Sequence, residues 1–227
     1  MIKIAVVGDI GSGKSHIAKL FGYPVFNADQ EVASIYKKNK NCFKKLKKIL
    51  PKYFSVFPAN KIQIIKAIED SEKNLKKITK IIHPEVRKKL STFLKKNKKR
   101  KAIILDIPLL LENKLNQKND IIVFVQSKKS EIIKRLKKRN NFNLNLYNQF
   151  KKIQLPLSYK KKKSNHIIKN NFTNNLAKMS VKKISKVQPE LFEFTSENLQ
   201  KVQKEIEKYP KKRKASAVLA LLYLAQN

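Results

Sequence analysis

A glycine-rich stretch near the start of the chain, Val6-Val7-Gly8-Asp9-Ile10-Gly11-Ser12-Gly13-Lys14-Ser15, has the spacing Gly-x-x-x-x-Gly-Lys-Ser. Gly8, Gly11 and Gly13 are three of the chain's four glycines, and the fourth, Gly22, lies just beyond. A chain that otherwise avoids glycine needs a physical cause for this clustering. The cause that fits is a loop whose backbone closely approaches a phosphate and turns through conformations closed to other residues. Lys14 would then reach the β- and γ-phosphates, and Ser15 Oγ would ligate Mg²⁺. The motif specifies binding of a nucleoside triphosphate and leaves the reaction open.

Phosphoryl transfer also needs positive charge on the moving group and a residue that orients or deprotonates the acceptor hydroxyl. Two carboxylates end short apolar runs. Asp29 closes Pro24-Val25-Phe26-Asn27-Ala28-Asp29 and is the candidate to take an acceptor proton, the plainer reading being a helix N-cap. Asp106 closes Ala102-Ile103-Ile104-Leu105-Asp106, the pattern of a carboxylate that holds Mg²⁺ through water. Arg135 and Arg139 are four apart, so both guanidinium groups share one helix face. In a chain that uses lysine almost by default, arginine marks places that need a planar fork on phosphate. His83 precedes Pro84 and by itself indicates only a capping or core histidine.

These residues need elements to carry them. Ile2 to Val7 is an apolar, β-branched run suited to a buried parallel strand, and Lys14 to Phe21 suits a helix. A second strand covers Pro24 to Phe26, with a helix starting at Asn27-Ala28-Asp29. Residues from about 41 to 97 read as helices, and Pro84 is expected to start one of them. Ala102–Asp106, Ile121–Val125 and His166–Ile168 are further strands, and a helix follows Thr173. Ser127 is expected to cap the helix that carries the two arginines, with more helix through about Lys163. Strands alternating with helices predict an α/β fold of the P-loop NTPase type, a parallel sheet flanked by helices. Ligands of such sheets bind at the carboxyl ends of the strands, where Gly8, Asp29 and Asp106 would sit.

Composition narrows the classes. A chain of 227 residues holds one sizeable domain plus an appendage. The single cysteine, Cys42, excludes a disulfide framework and a cysteine metal cluster. No run approaches the ~20 apolar residues of a membrane span. The N-terminus opens straight into the first strand, leaving no room for a signal peptide, so a cytoplasmic protein is expected. The formal charge of +37 is almost all lysine spread along the chain beside Asn and Ile, and arginine occurs only at 87, 100, 135, 139 and 213. That is a compositional bias, and no specific nucleic-acid partner is expected from it. A regulatory GTPase is disfavoured because Asn116-Gln117-Lys118-Asn119-Asp120 has the wrong spacing for guanine recognition. A nucleoside or nucleoside monophosphate kinase remains the alternative small-molecule kinase.

An ordered set of motifs over residues 1 to about 184 resembles the dephospho-CoA kinase family. Gly8 to Ser15 resembles its Gly-Gly-Ile-Gly-Ser-Gly-Lys-Ser, and Asn27-Ala28-Asp29 its Asp-Ala-Asp. Ile82-His83-Pro84-Glu85-Val86 is similar to its His-Pro element, and Leu105-Asp106-Ile107-Pro108-Leu109-Leu110-Leu111-Glu112 to its Asp-x-Pro-Leu-Leu-x-Glu. Arg135 and Arg139 fall on its lid arginines, and Gln154-Leu155-Pro156-Leu157 with Lys160 and Ile167-Ile168-Lys169-Asn170 on its closing motifs. The resemblance implies ATP-dependent phosphorylation of the 3′-hydroxyl of dephospho-CoA, with Mg²⁺. It implies ATP held by Gly8, Gly11, Ser12, Gly13, Lys14, Ser15, His16 and Arg139, and catalysis by Asp29, Lys14 and Arg135. Asp29, as base or orienter, would bind the acceptor with His83 and Asp106, and Ser15 and Asp106 would serve the metal. Acceptor-binding helices would cover about 60–95 and a lid about 135–160, within a kinase domain of 1–186. There are departures. Asn27 replaces the first aspartate of Asp-Ala-Asp, and His16 stands where threonine is usual. Phe150 stands at an arginine position, where Lys151 or Lys152 is the candidate substitute, and Asn165 replaces a common aspartate.

The end of the chain has another character. Residues of about 190–227 resemble the N-terminal helices of the thioredoxin-like iron–sulfur subunit of NADH:quinone oxidoreductase, and stop before that family's cluster cysteines. With Cys42 alone, an iron–sulfur cluster is excluded on ligand count. Thr195 reads as an N-cap and Ala215 to Ala225 as an apolar helix. A helical appendage over 187–227, packing on the kinase domain or a partner, is expected from a natural fusion. A join of two reading frames is the favoured origin, and no catalytic role is expected either way.

Overall fold

The computed structural model describes residues 1–138, 142–187, and the single positions 201, 204 and 207. The chain divides into a unit of Met1–Ser185 and a second of Lys186–Asn227. In the second, Lys201, Lys204 and Glu207 are helical and exposed; Thr195 and Ala215 to Ala225 lie outside the described residues.

The first unit is built on five parallel strands in the order β2-β3-β1-β4-β5. They are β1 (Ile2–Gly8), β2 (Val25–Asn27), β3 (Ala102–Asp106), β4 (Ile121–Gln126) and β5 (His166–Lys169). The runs of β-branched and aliphatic residues in β1, β3 and β4 are buried almost throughout, as strands covered on both faces require. Side-chain alternation sorts them into two cores. Ile4, Val6, Ile104, Val123, Val125 and Ile168 face α1 (Lys14–Leu20) and α9 (Asn174–Val187). Ala5, Val7, Ile103, Leu105, Ile122 and Phe124 face the opposite side, where α5 (Glu72–Lys96) lays down Leu90, Phe93 and Leu94. Strand β1 lies between β3 and β4, so the chain leaves its carboxyl end toward one side and later returns on the other. The crevice at that point is where open α/β sheets bind ligands.

A third core lies off the sheet, between α2 (Ala28–Lys38), α3 (Lys40–Ile49), α4 (Lys61–Asp70), the first half of α5 and the connecting residues 50–60. Ile35, Leu46, Phe54, Ile78 and Ile82 are its most deeply buried large side chains. The lysine-rich outer faces are solvated, and the apolar positions at helical spacing point inward. Val86 touches both this core and the sheet core, so α5 passes from one to the other without a break. The helical stretch expected from 41 to 97 is interrupted over 50–60, where Pro51 and Pro58 fall.

Two expected caps are corrected. Pro84 lies inside α5, whose start is capped by Ser71 accepting from Lys73 N at 3.1 Å. The apolar stripe continues at helical spacing on both sides of the proline, through Ile78, Ile82, Val86, Leu90 and Phe93, and that burial outweighs the missing backbone bond. Ser127 does not cap α6 (Lys129–Lys137); the N-cap is Lys128, without a side-chain bond. Ser127 Oγ instead donates to Ser12 O at 3.0 Å, because a long-range acceptor in the glycine loop is within its reach. Two short helices, α7 (Leu144–Lys152) and α8 (Leu157–Lys162), complete the unit.

Candidate active site

The glycine loop leaves β1 at Gly8 and enters α1 at Gly13, a residue in the left-handed region with φ 91°. Ser12 O accepts from both Ser127 Oγ and Asn170 Nδ2, the latter at 2.8 Å, so segments following β4 and β5 pin the loop from below. A Cβ at Gly13 would come within 2.4 Å of that Asn170 nitrogen, and one at Gly8 within 2.7 Å of Val125 O. The glycines are therefore required by close backbone approach as well as by conformation. Lys14 Nζ lies along the loop, donating to Asp9 O at 2.8 Å and Gly8 O at 3.4 Å. Ser15 and His16 are exposed on the first turn of α1, at the mouth of the crevice.

Asp29 and Asp106 do come to this edge. Val25, Phe26 and Asn27 run beside β3, with Asn27 in register with Asp106, and α2 starts at once after them. Asn27 Nδ2 donates to Asp106 Oδ2 at 2.6 Å, while Asn27 Oδ1 accepts from Gln30 N at 2.9 Å and caps α2. The cap is thus Asn27 and not Asp29, whose side chain is left for the crevice. An aspartate at position 27 could cap but would repel Asp106; the amide does both jobs. Asp106 is 2% exposed.

Electrostatics tie these groups together. Burial raises the Asp29 carboxyl above the ordinary carboxylate range; the Asp106 charge adds to this and Lys14 opposes it. Its side chain reaches solvent at the crevice mouth, so water screens part of this effect. Lys14 is pulled below the usual lysine value by burial, with Lys160 adding and Asp106, Asp9 and Asp29 opposing. A carboxyl raised and a lysine lowered beside one another make this edge of the sheet the candidate site.

The remaining expected residues are spread around it. His83 is half-buried on α5, and burial with the neighbouring Arg87 holds it below its usual value, so it is neutral near pH 7. Arg135 is exposed on α6 with its guanidinium 4.3 Å from the centre of the Phe172 ring. Phe172 in turn lies 3.4 Å from where a Gly13 side chain would start. Arg135 therefore reaches the loop through a stacked ring. Arg139 lies outside the described residues.

Two charge pairs went unnoticed in the sequence. Lys151 Nζ meets both carboxylate oxygens of Asp9, at 3.0 and 2.9 Å. Lys160, 1% exposed, sits 2.7 Å from Glu112 Oε1, at contact distance but off the line of a hydrogen bond. The same oxygen accepts from Leu155 N at 3.1 Å, so Glu112 holds the entry to α8. Removing one member of such a pair leaves a buried charge uncompensated. Glu112→Gln is expected to lower stability by about 3–5 kcal/mol, read by urea unfolding; a loss under ~1 kcal/mol would mean the pair is solvated.

Residues 2–176 match the dephospho-CoA kinase family. The chain belongs to that family. Curated dephospho-CoA kinases similar to it include that of Wolbachia sp. subsp. Brugia malayi, 32% identical over 170 residues that cover 73% of this chain and 87% of the relative. That of Wolbachia pipientis wMel is 32% identical over 186 residues, covering 80% of this chain and 95% of the relative. A crystal structure from Thermus thermophilus superposes with a TM-score of 0.70 at 25% identity, covering 83% of this chain and 97% of that one. The dephospho-CoA kinase of Campylobacter jejuni shares the fold at a TM-score of 0.56 and 20% identity, covering 81% and 95%. The family match ends at residue 176, so the second unit lies beyond it.

Proposed function

We infer that this chain transfers the γ-phosphoryl group of ATP to the 3′-hydroxyl of dephospho-CoA, giving coenzyme A and ADP. The observation that carries the reading is the meeting of Lys14, Asp29 and Asp106 at the carboxyl edge of β1, β2 and β3, in a chain of this family. The loop from Gly8 to Ser15 binds the triphosphate through its backbone N–H groups, with Lys14 on the β- and γ-phosphates. His16 borders that site, and Arg135 and Arg139 bear on the phosphates from α6 and the residues after it. Asp29 accepts the proton of the acceptor hydroxyl or orients it, and Asp106 and the neutral His83 border the acceptor. The acceptor itself lies against α4 and α5, within 60–95, and the region 135–160 forms the lid.

Ser15 Oγ and the Asp106 carboxylate, the latter through water, are the groups that would hold Mg²⁺. The donors fit: both are hard oxygens, and among the described residues no cluster of three or more His, Cys, Asp or Glu forms a closed metal cage. An ion of this kind is shared with substrate phosphates and water. When bound it neutralises charge on the transferring group. Among the described residues no helix is long and apolar enough to cross a membrane, and a cytoplasmic enzyme is the reading that goes with ATP as substrate.

The test is ADP release with dephospho-CoA as acceptor, against nucleosides and nucleoside monophosphates in the same coupled assay. Turnover favouring dephospho-CoA is expected; a nucleoside preferred as acceptor would overturn the substrate assignment. The tail of 187–227, with its likeness to the NADH:quinone oxidoreductase subunit over about 190–227, is assigned no part in this reaction. A chain truncated after Val187 keeps Val181 and Ile184 of α9 in the sheet core. It is expected to retain kcat within about twofold, since the family match ends at residue 176 and every residue assigned a role lies before the cut. An inactive but folded truncation would place a function in the tail.

A further inference from the structure

We propose that Lys151 is the counter-charge of the phosphate loop, and that through it the docking of α7 sets the affinity for the triphosphate. The inference rests on the ATP site assigned above.

Asp9 follows Gly8 at the first variable position of the loop and is 7% exposed. A loop built to receive a triphosphate thus carries a buried anion. Its carboxylate is fully engaged: Oδ1 accepts from Ile10 N at 2.8 Å, and Lys151 Nζ spans both oxygens. That is the only ion pair Asp9 makes among the described residues. Its backbone oxygen accepts from Lys14 Nζ, so the triphosphate-binding lysine and the α7 lysine meet on one residue, one on the main chain and one on the side chain. The Tyr147 ring, one turn earlier on α7, has its centre 5.9 Å from Lys151 Nζ, within range of a cation–π contact.

With Lys151 in place the loop presents no net charge from Asp9 to the incoming phosphates. With Lys151 withdrawn, the Asp9 carboxylate faces them bare. Affinity for ATP is therefore coupled to the position of α7, and Lys151 is a positioning residue acting through Asp9.

This account differs in sign from one in which Lys151 touches the nucleotide. Binding of mant-ATP with Mg²⁺, followed by fluorescence without acceptor, separates them. Asp9 is buried while the Lys151 side chain is 41% exposed, so water screens part of the bare charge left by truncation, and Lys151→Met is expected to weaken binding about tenfold. Asp9→Asn added to Lys151→Met is expected to restore the affinity to within about threefold of wild type, because the bare carboxylate is gone. Lys151→Arg keeps the charge and the affinity. A double variant as weak as Lys151→Met overturns the proposal, as does a Lys151→Met protein that binds like wild type. Thermal melts accompany each variant, and Lys151→Gln replaces Lys151→Met if the latter fails to fold. Because no acceptor is present, failure to phosphorylate dephospho-CoA leaves this test readable.

Discussion

Replacing Asp29 by Asn is expected to lower kcat by about 10²–10⁴-fold, the usual contribution of a positioned acid or base. The pH dependence carries the sign. Burial first, and Asp106 second, raise this carboxyl above the ordinary range, against the pull of Lys14. Only the ionised form can accept a proton, so wild-type kcat/KM for the acceptor falls as pH drops through that raised value. The acid limb should lie at higher pH than an unperturbed aspartate gives. In the variant this limb disappears, because an amide does not titrate there. The size of the loss separates the two roles left open for Asp29. An amide oxygen still orients a hydroxyl, so a loss under about tenfold marks an orienting group, and a loss in the upper range marks the base. KM for ATP should hold, since the donors assigned to the triphosphate are the loop's backbone N–H groups and Lys14. An Asp29→Asn enzyme with wild-type kcat would end the assignment.

Lys14→Ala is the second large effect. Removing one preorganised donor aimed at developing charge costs about 10²–10³-fold in rate. The alkaline side of the profile supplies a second signature. Lys14 is lowered by burial, with Lys160 pressing the same way, while Asp106, Asp9 and Asp29 pull back. The ammonium is the active form, so kcat/KM for ATP is lost as pH rises through a value below that of an ordinary lysine. The wild type should therefore show a bell narrower on both sides than free side chains would give, and Lys14→Ala should lose its alkaline limb. Retention of kcat/KM within tenfold of wild type would remove Lys14 from the reaction.

What could be seen in the sequence was what is local. The glycine loop declares itself because its spacing, strand and helix fall within twenty-odd consecutive residues, and the conformations they need are written in residue type. Asp29 and Asp106 were visible because each ends a short apolar run. The partnerships were not. Lys151 pairs with Asp9 and Lys160 with Glu112 across long stretches of chain, and in a sequence with 53 Lys and Arg each lysine looks like solvated surface. A signal existed for the first pair: an aspartate inside an anion-binding loop demands a cation from somewhere. Ser127 misled because a serine before a helix is read as a cap, while the acceptor it uses, Ser12 O, is brought near only by the sheet. Pro84 misled for a related reason. A proline is a local stop signal, and here a stripe of buried aliphatics on both sides overrides it.

That unbroken α5 has a mechanical consequence. Its 25 residues make a rod of about 38 Å whose two halves are embedded in different cores, joined at Val86. The helical core and the sheet core thus share one spine, and moving one against the other would have to bend α5. The opposite case is α7, which buries no residue and is held by two polar tethers, Asn143 to Glu69 and Lys151 to Asp9.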